Sequence, residues 1–204
     1  MESDFVLKDL QRDALLEVGS IGAGHAATAL SELVDRKVMI AVPRLEIIAV
    51  HQVPELVGGP ETLVAAVYVR VLGDVRGSML FLVPRESALS VVDLLQGHDL
   101  GTTKVIGETD EELLKQTGNI LVMAYLNSLT RLTDLIFLPS PPAFAFDMAG
   151  AILDSIMAEA GMVAEHAIVV STEFLRIAEK VNAMLFFLPK PETLEVILSR
   201  LGVD

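Results

Sequence analysis

The sequence has no cysteine, no tryptophan and only two tyrosines among its 204 residues. Without cysteine there is no disulfide framework, no thiolate metal ligand and no thiol nucleophile. Without tryptophan, and with so few tyrosines, the flat side chains on which single-stranded bases stack are scarce. Positive charge is short as well: 15 Lys and Arg stand against 28 Asp and Glu, a formal net charge of −13. That balance disfavours approach to nucleic acid and to anionic membranes. No apolar run reaches the roughly eighteen residues of a membrane span. Met1-Glu2-Ser3-Asp4-Phe5 is acidic where a secretory signal is basic. The expectation is a cytoplasmic protein that binds neither nucleic acid nor membrane.

Familiar chemical motifs are missing too. There is no P-loop, no nucleophile elbow and no HExxH. His25, His51, His98 and His166 are scattered without metal-ligand spacing, so no metal site is expected. Gly19-Ser20-Ile21-Gly22-Ala23-Gly24 runs in the reverse order of a dinucleotide fingerprint and has no strand before it. Close packing between helices is the better reading of these glycines. What remains is a chain that is 52% hydrophobic, enough to bury a substantial core.

The most informative feature present is a cassette that occurs twice. Asp13-Ala-Leu-Leu-Glu17-Val-Gly-Ser20 is followed by Pro43, and Glu112-Leu-Leu-Lys-Gln116-Thr-Gly-Asn119 is followed by Pro142. The two copies stand 99 positions apart, and Gly19/Gly118, Ile21/Ile120, Leu30/Leu129 and Leu33/Leu132 share the register. Near the end of each half, Met79-Leu-Phe-Leu-Val-Pro84 matches Met184-Leu-Phe-Phe-Leu-Pro189. Duplication explains both matches. The expected organisation is a single domain, residues 1–204, built from two repeats of about 7–100 and 108–204.

Apolar periodicity predicts a long helix over 7–36 and another over 109–134. At 100° per residue, Leu7, Leu10, Ala14, Leu15, Val18, Ile21, Ala29 and Leu33 fall on one broad arc of the first helix. Asp13, Glu17, Ser20 and Gly24 gather on a separate stripe about 60° wide that can face outward. In the second helix Glu112, Gln116, Asn119 and Met123 form the matching stripe. Stretches rich in Val, Ile and Leu at 38–53, 63–72 and 77–83 read as strands, with a hairpin turn at 72–77. The segment 85–96 reads as a helix. Prolines 139, 141 and 142 end the second long helix, and 146–160 reads as a helix with a Met- and Ala-rich face. Strands at 166–177 and 181–188 and a closing helix at 192–201 complete the chain. The fold class is α+β, with a pseudo-two-fold internal duplication and long helices packed on antiparallel β-sheet.

The cassette's spacing of Asp or Ser, three residues, Glu, two residues, Asn, twenty-two residues and Pro resembles the signature of the CheC family, with its CheC, CheX and FliY branches. The stretch Glu17 to Ser31, the two-cassette layout and the length most resemble the two-site CheC branch. The resemblance implies a phosphatase in chemotaxis signalling whose substrate is the aspartyl phosphate of a CheY-type receiver. The receiver itself supplies Mg²⁺ and a lysine, so no cofactor of the chain's own is implied. On that reading the Asn carboxamide positions the attacking water, and the Glu one turn earlier docks to the receiver's lysine.

The two copies depart from the signature in complementary ways. The first keeps Glu17 and has Ser20 where Asn belongs; the second keeps Asn119 and has Gln116 where Glu belongs. Ser20 is too short to reach a water that an Asn would hold, so catalysis is expected to rest on the second copy. Gln116 can accept a hydrogen bond from an ammonium without the charge, a loss of about 1–3 kcal/mol in docking if the pair is desolvated. The alternative is a non-catalytic adaptor that binds a receiver or the receptor deamidase CheD. Asp147, Met148 and Ile152 would then contribute a partner-binding face. A flagellar switch component is a third reading.

Overall fold

The computed structural model describes residues 7–160, 166–176 and 179–203. Its elements, in chain order, are α1 (Asp9–Leu33), β1 (Met39–Ala49), a 3-10 turn (Val50–Gln52) leading into α2 (Val53–Leu56), β2 (Leu63–Gly73), β3 (Gly77–Pro84) and α3 (Arg85–Gln96). There follow α4 (Glu108–Thr133), β4 (Phe137–Pro139), β5 (Ala143–Met148), α5 (Ala149–Ala160), β6 (His166–Arg176), β7 (Glu179–Pro189) and α6 (Pro191–Arg200). Among the described residues no helix is long and apolar enough to cross a membrane.

The strands form one antiparallel seven-stranded sheet in the order β1-β6-β7-β3-β2-β4, with β5 also on β2. The order is palindromic in the repeats: each repeat's first strand pairs with the second strand of the other. At the centre, Leu80 pairs with Phe186 and Phe81 with Leu185. These are the duplicated Leu-Phe dipeptides facing each other, so a local two-fold passes between β3 and β7. Both strands are apolar on both faces because both faces are covered. Met79, Phe81 and Val83 join the main core under α1, α3, α4 and α6, and Leu80 and Leu82 join a second core under α2 and α5. Each fully buried Phe or Leu contributes on the order of 2 kcal/mol.

The cassette prolines mark the two edges of this sheet. The β1–β6 register shifts between Ala41 and Arg44, around Pro43, which has no N–H to give the ladder. At the corresponding place in the second repeat the strand breaks outright into β4 and β5 around Ser140-Pro141-Pro142. Proline at a bulge or break on an edge strand is where a sheet tolerates it.

Four sequence expectations change. The strand read over 38–53 stops at Ala49, and the chain turns through Val50–Gln52 into α2, where Val50 and Val53 are buried in the second core. Residues 146–148 belong to β5, not to the helix that follows, because Phe146 pairs with Ala65 and Asp147 with Val64 of β2; α5 starts at Ala149. The short β4 lies in what reads as a proline-terminated loop. Leu10 is 65% exposed and Leu33 44% exposed, although both fall on the broad apolar arc of α1. Leu10 projects only about 20° from Glu17, beside the polar stripe, and Leu33 is the last residue of its helix. The face that is buried runs along Gln11, Leu15, Val18, Gly19, Gly22, Ala23, Ala26 and Leu30.

Candidate functional site

The polar stripes sit on α1 and α4, which pack side by side over the same core. At Gly22 they approach closely: an added Cβ would lie 3.1 Å from the Tyr125 Cα and 3.4 Å from the Ala124 carbonyl oxygen. The Gly22 reading as helix packing therefore holds; Gly24 faces open space instead, with nothing within 4 Å.

Each stripe is aimed by a glycine one residue before its signature position. Gly118 faces the sheet so closely that a Cβ would stand 2.6 Å from Val67 Cγ2. Gly19 lies on Val42 and Val170, each 3.4 Å from such a Cβ. With Gly118 turned to the sheet, residues 112, 116, 119 and 123 project roughly 100–160° away from it. Glu112 and Gln116 are accordingly exposed, Asn119 and Met123 half-buried. On α1, Asp13, Glu17, Ser20 and Gly24 are all exposed.

The side chains differ in what occupies them. Ser20 Oγ donates to the Leu16 carbonyl at 2.8 Å, so the hydroxyl is turned back along its own helix. Gln116 Nε2 donates to Glu112 Oε1 at 3.1 Å, and Lys115 Nζ lies 3.5 Å from Glu112 Oε2. Glu17 and Asn119 are hydrogen-bonded to nothing among the described residues, so the Asn119 carboxamide has both its donor and its acceptor available. Neither helix carries a base paired to a nucleophile. Among the described residues no cluster of His, Asp and Glu is placed to hold a metal ion.

The start of α4 is pinned by residues that sequence reasoning missed. Asp93 is fully buried on α3, and its carboxylate accepts the backbone N–H groups of Gly101 (2.7 Å), Thr102 (3.0 Å) and Thr103 (2.8 Å). Burial pushes its carboxyl up, but hydrogen bonds from Thr103, Gly101 and Thr102 together outweigh this and hold it below the usual carboxylate value. Gln96 Nε2 donates to Asp110 Oδ1 at 2.9 Å, and Asp110 Oδ2 accepts Gly107 N–H at 3.0 Å, capping α4. The one signal was an acid inside the apolar run Val91-Val-Asp93-Leu-Leu95. Nothing in the sequence marks Tyr125 either; its hydroxyl is buried without a partner among the described residues, and burial pushes its pKa up.

The proposed partner-binding residues lie elsewhere. Asp147 and Met148 are exposed on β5, and Ile152 is buried in the second core. Asp147 and Ile152, with Tyr68, Phe144, Ser155 and Ile156, line a groove of about 200 Å³ between α5 and the sheet. Met148 is not part of it.

Comparison with known proteins fits this architecture. Residues 10–47, which span α1 and the bulged strand behind it, match the CheC-like family. The CheY-P phosphatase CheC of Bacillus subtilis is 35% identical over 202 residues, covering 97% of either chain. The chain belongs to the CheC-like family. The flagellar motor switch phosphatase FliY of the same organism is 30% identical over 137 residues, 67% of this chain and 35% of FliY. Among solved structures, Thermotoga maritima FliY superposes with a TM-score of 0.77 at 19% identity, covering 97% of this chain and 98% of that one. The fold is thus that of the CheC-like family, α+β with its helices on a curled antiparallel sheet.

Proposed function

We propose that this CheC-like protein dephosphorylates the phosphorylated receiver CheY in chemotaxis signalling, and that α4 carries the chemistry. A relative similar over 97% of this chain is named a CheY-P phosphatase. The observation on this chain that supports α4 is the state of its carboxamide: the Asn119 side chain has no hydrogen bond among the described residues, on a helix whose seat Gly118 fixes.

In this reaction water attacks phosphorus in line, the bond from phosphorus to the receiver's aspartate oxygen breaks, and inorganic phosphate and the restored carboxylate leave. A carboxamide suits the task because its oxygen can accept from the water while its NH2 donates to the phosphoryl group. Neither Asn119 nor Gln116 has to change protonation. The chain acts by holding a water where it is needed, a contribution of positioning. Magnesium belongs to the receiver, and the chain brings no cofactor. Gln116 docks to the receiver's lysine as an acceptor. Glu17 on α1 docks a receiver without hydrolysing it, since the Ser20 hydroxyl is committed to Leu16. The two repeats work as one domain of 1–204, in the cytoplasm.

A second reading is supported by the groove beside α5. Its lining, Asp147 together with the apolar Phe144, Ile152 and Ile156, suits a protein partner such as the deamidase CheD, with the chain as an adaptor. The switch-component reading rests on likeness to FliY alone. The deciding experiment follows phosphate loss from the purified cognate phosphorylated receiver with and without the protein. Faster loss is expected; equal rates would leave the adaptor.

A further inference from the structure

Of the stripe on α4, the chemistry above leaves Glu112 and Met123 unused. Glu112 lies one turn before Gln116, and its Oε1 accepts the Gln116 Nε2–H at 3.1 Å. An ionised carboxylate can only accept, so the amide must turn its NH2 toward Glu112. The Gln116 carbonyl oxygen is then left as the end available to a donor arriving from outside. A glutamine without such a neighbour offers either end, and its NH2 end opposes an incoming ammonium. The other Glu112 oxygen, Oε2, lies 3.5 Å from Lys115 Nζ and offsets a positive charge beside Gln116. On α1 the equivalent pair, Asp13 and Glu17, consists of two acceptors one turn apart, and such a pair repels.

We propose that Glu112 is a positioning residue for docking the receiver's lysine. It fixes the Gln116 amide with its carbonyl toward that ammonium, and it offsets the Lys115 charge that would otherwise oppose the ammonium. The inference rests on α4 being the helix that enters the receiver site. It concerns affinity, since Glu112 stands two turns of α4 before Asn119, the residue that positions the water.

The test is a double-mutant cycle read in two ways: the Kd for receiver carrying magnesium and beryllofluoride, and kcat and KM for phosphate release. Glu112→Ala weakens binding and raises KM roughly three- to tenfold, the range of one hydrogen bond in a desolvated contact, with kcat unchanged. In the Gln116→Glu background the sign changes. There Glu112→Ala removes one of two like charges a turn apart, so binding stays level or tightens. The same loss in both backgrounds, no loss in either, or a loss confined to kcat overturns the inference. Circular dichroism and thermal melting show that the exposed substitutions leave α4 folded. Failure of the underlying reading looks different: Gln116→Ala and Asn119→Ala would then leave binding and phosphate release as they were.

Discussion

Gly118 of α4 rests directly on Val67 of β2, so closely that a Cβ on the glycine would stand 2.6 Å from Val67 Cγ2. A helix can lie that low only where it has no side chain. The residue after this seat is Asn119, so the packing of a glycine sets where the carboxamide stands.

Adding one methyl should therefore matter in opposite ways at two glycines. Gly118→Ala is expected to cost about 1–3 kcal/mol in chemical denaturation by overpacking the helix–sheet contact, and to slow phosphate release. Gly24→Ala, in the interior of α1 with nothing within 4 Å, should gain about 0.5–1 kcal/mol. A Gly118→Ala variant as stable as the wild type would contradict the seat.

Asp93 predicts a pH dependence. Its folded pKa lies below the ordinary carboxylate value, so the stability it contributes is present above about pH 4 and is lost as pH falls through the folded pKa. Asp93→Asn replaces a full acceptor with a group whose NH2 meets N–H donors. A loss of about 1–3 kcal/mol is expected at pH 7, with wild type and variant converging in acid. Urea melts at pH 7 and at pH 3 check this; a gap that widens in acid would refute it.

The Tyr125 hydroxyl is buried without a partner among the described residues. Tyr125→Phe removes a polar group that gains no hydrogen bond from the described residues, so melting should be unchanged or slightly higher. A loss beyond about 1 kcal/mol would show that the hydroxyl is satisfied in solution.

Ser20→Asn should convert α1 into a second working helix, since Glu17 is already exposed beside it. Phosphate release should rise about twofold or more, a positioning gain of modest size. No gain in a variant that still binds the receiver would count against Ser20 as the defect of the first copy.

Much of this was legible in the sequence. The 99-residue register gave the two helices, and the duplicated Met-Leu-Phe runs became the paired central strands β3 and β7. Periodicity also placed both polar stripes correctly, because a one-sided helix leaves little freedom in which face is wet. It failed where pairing, not pattern, decides: residues 146–148 look helical alone and are a strand only because β2 is there to meet them. It failed at Asp93 for a similar reason, since its partners are the backbone of a loop whose path no residue type announces. The signature prolines were recognised by spacing, but their physical work, interrupting each edge strand near its helix, needed the sheet to be seen.

The most direct measurement compares Asn119→Ala and Ser20→Ala in phosphate release from the purified phosphorylated receiver. Asn119→Ala should slow the protein-stimulated rate by on the order of 10²-fold, the scale of a lost positioning group, while Ser20→Ala leaves it unchanged. Equal effects of the two substitutions, or an Asn119→Ala protein as active as the wild type, would contradict catalysis by α4.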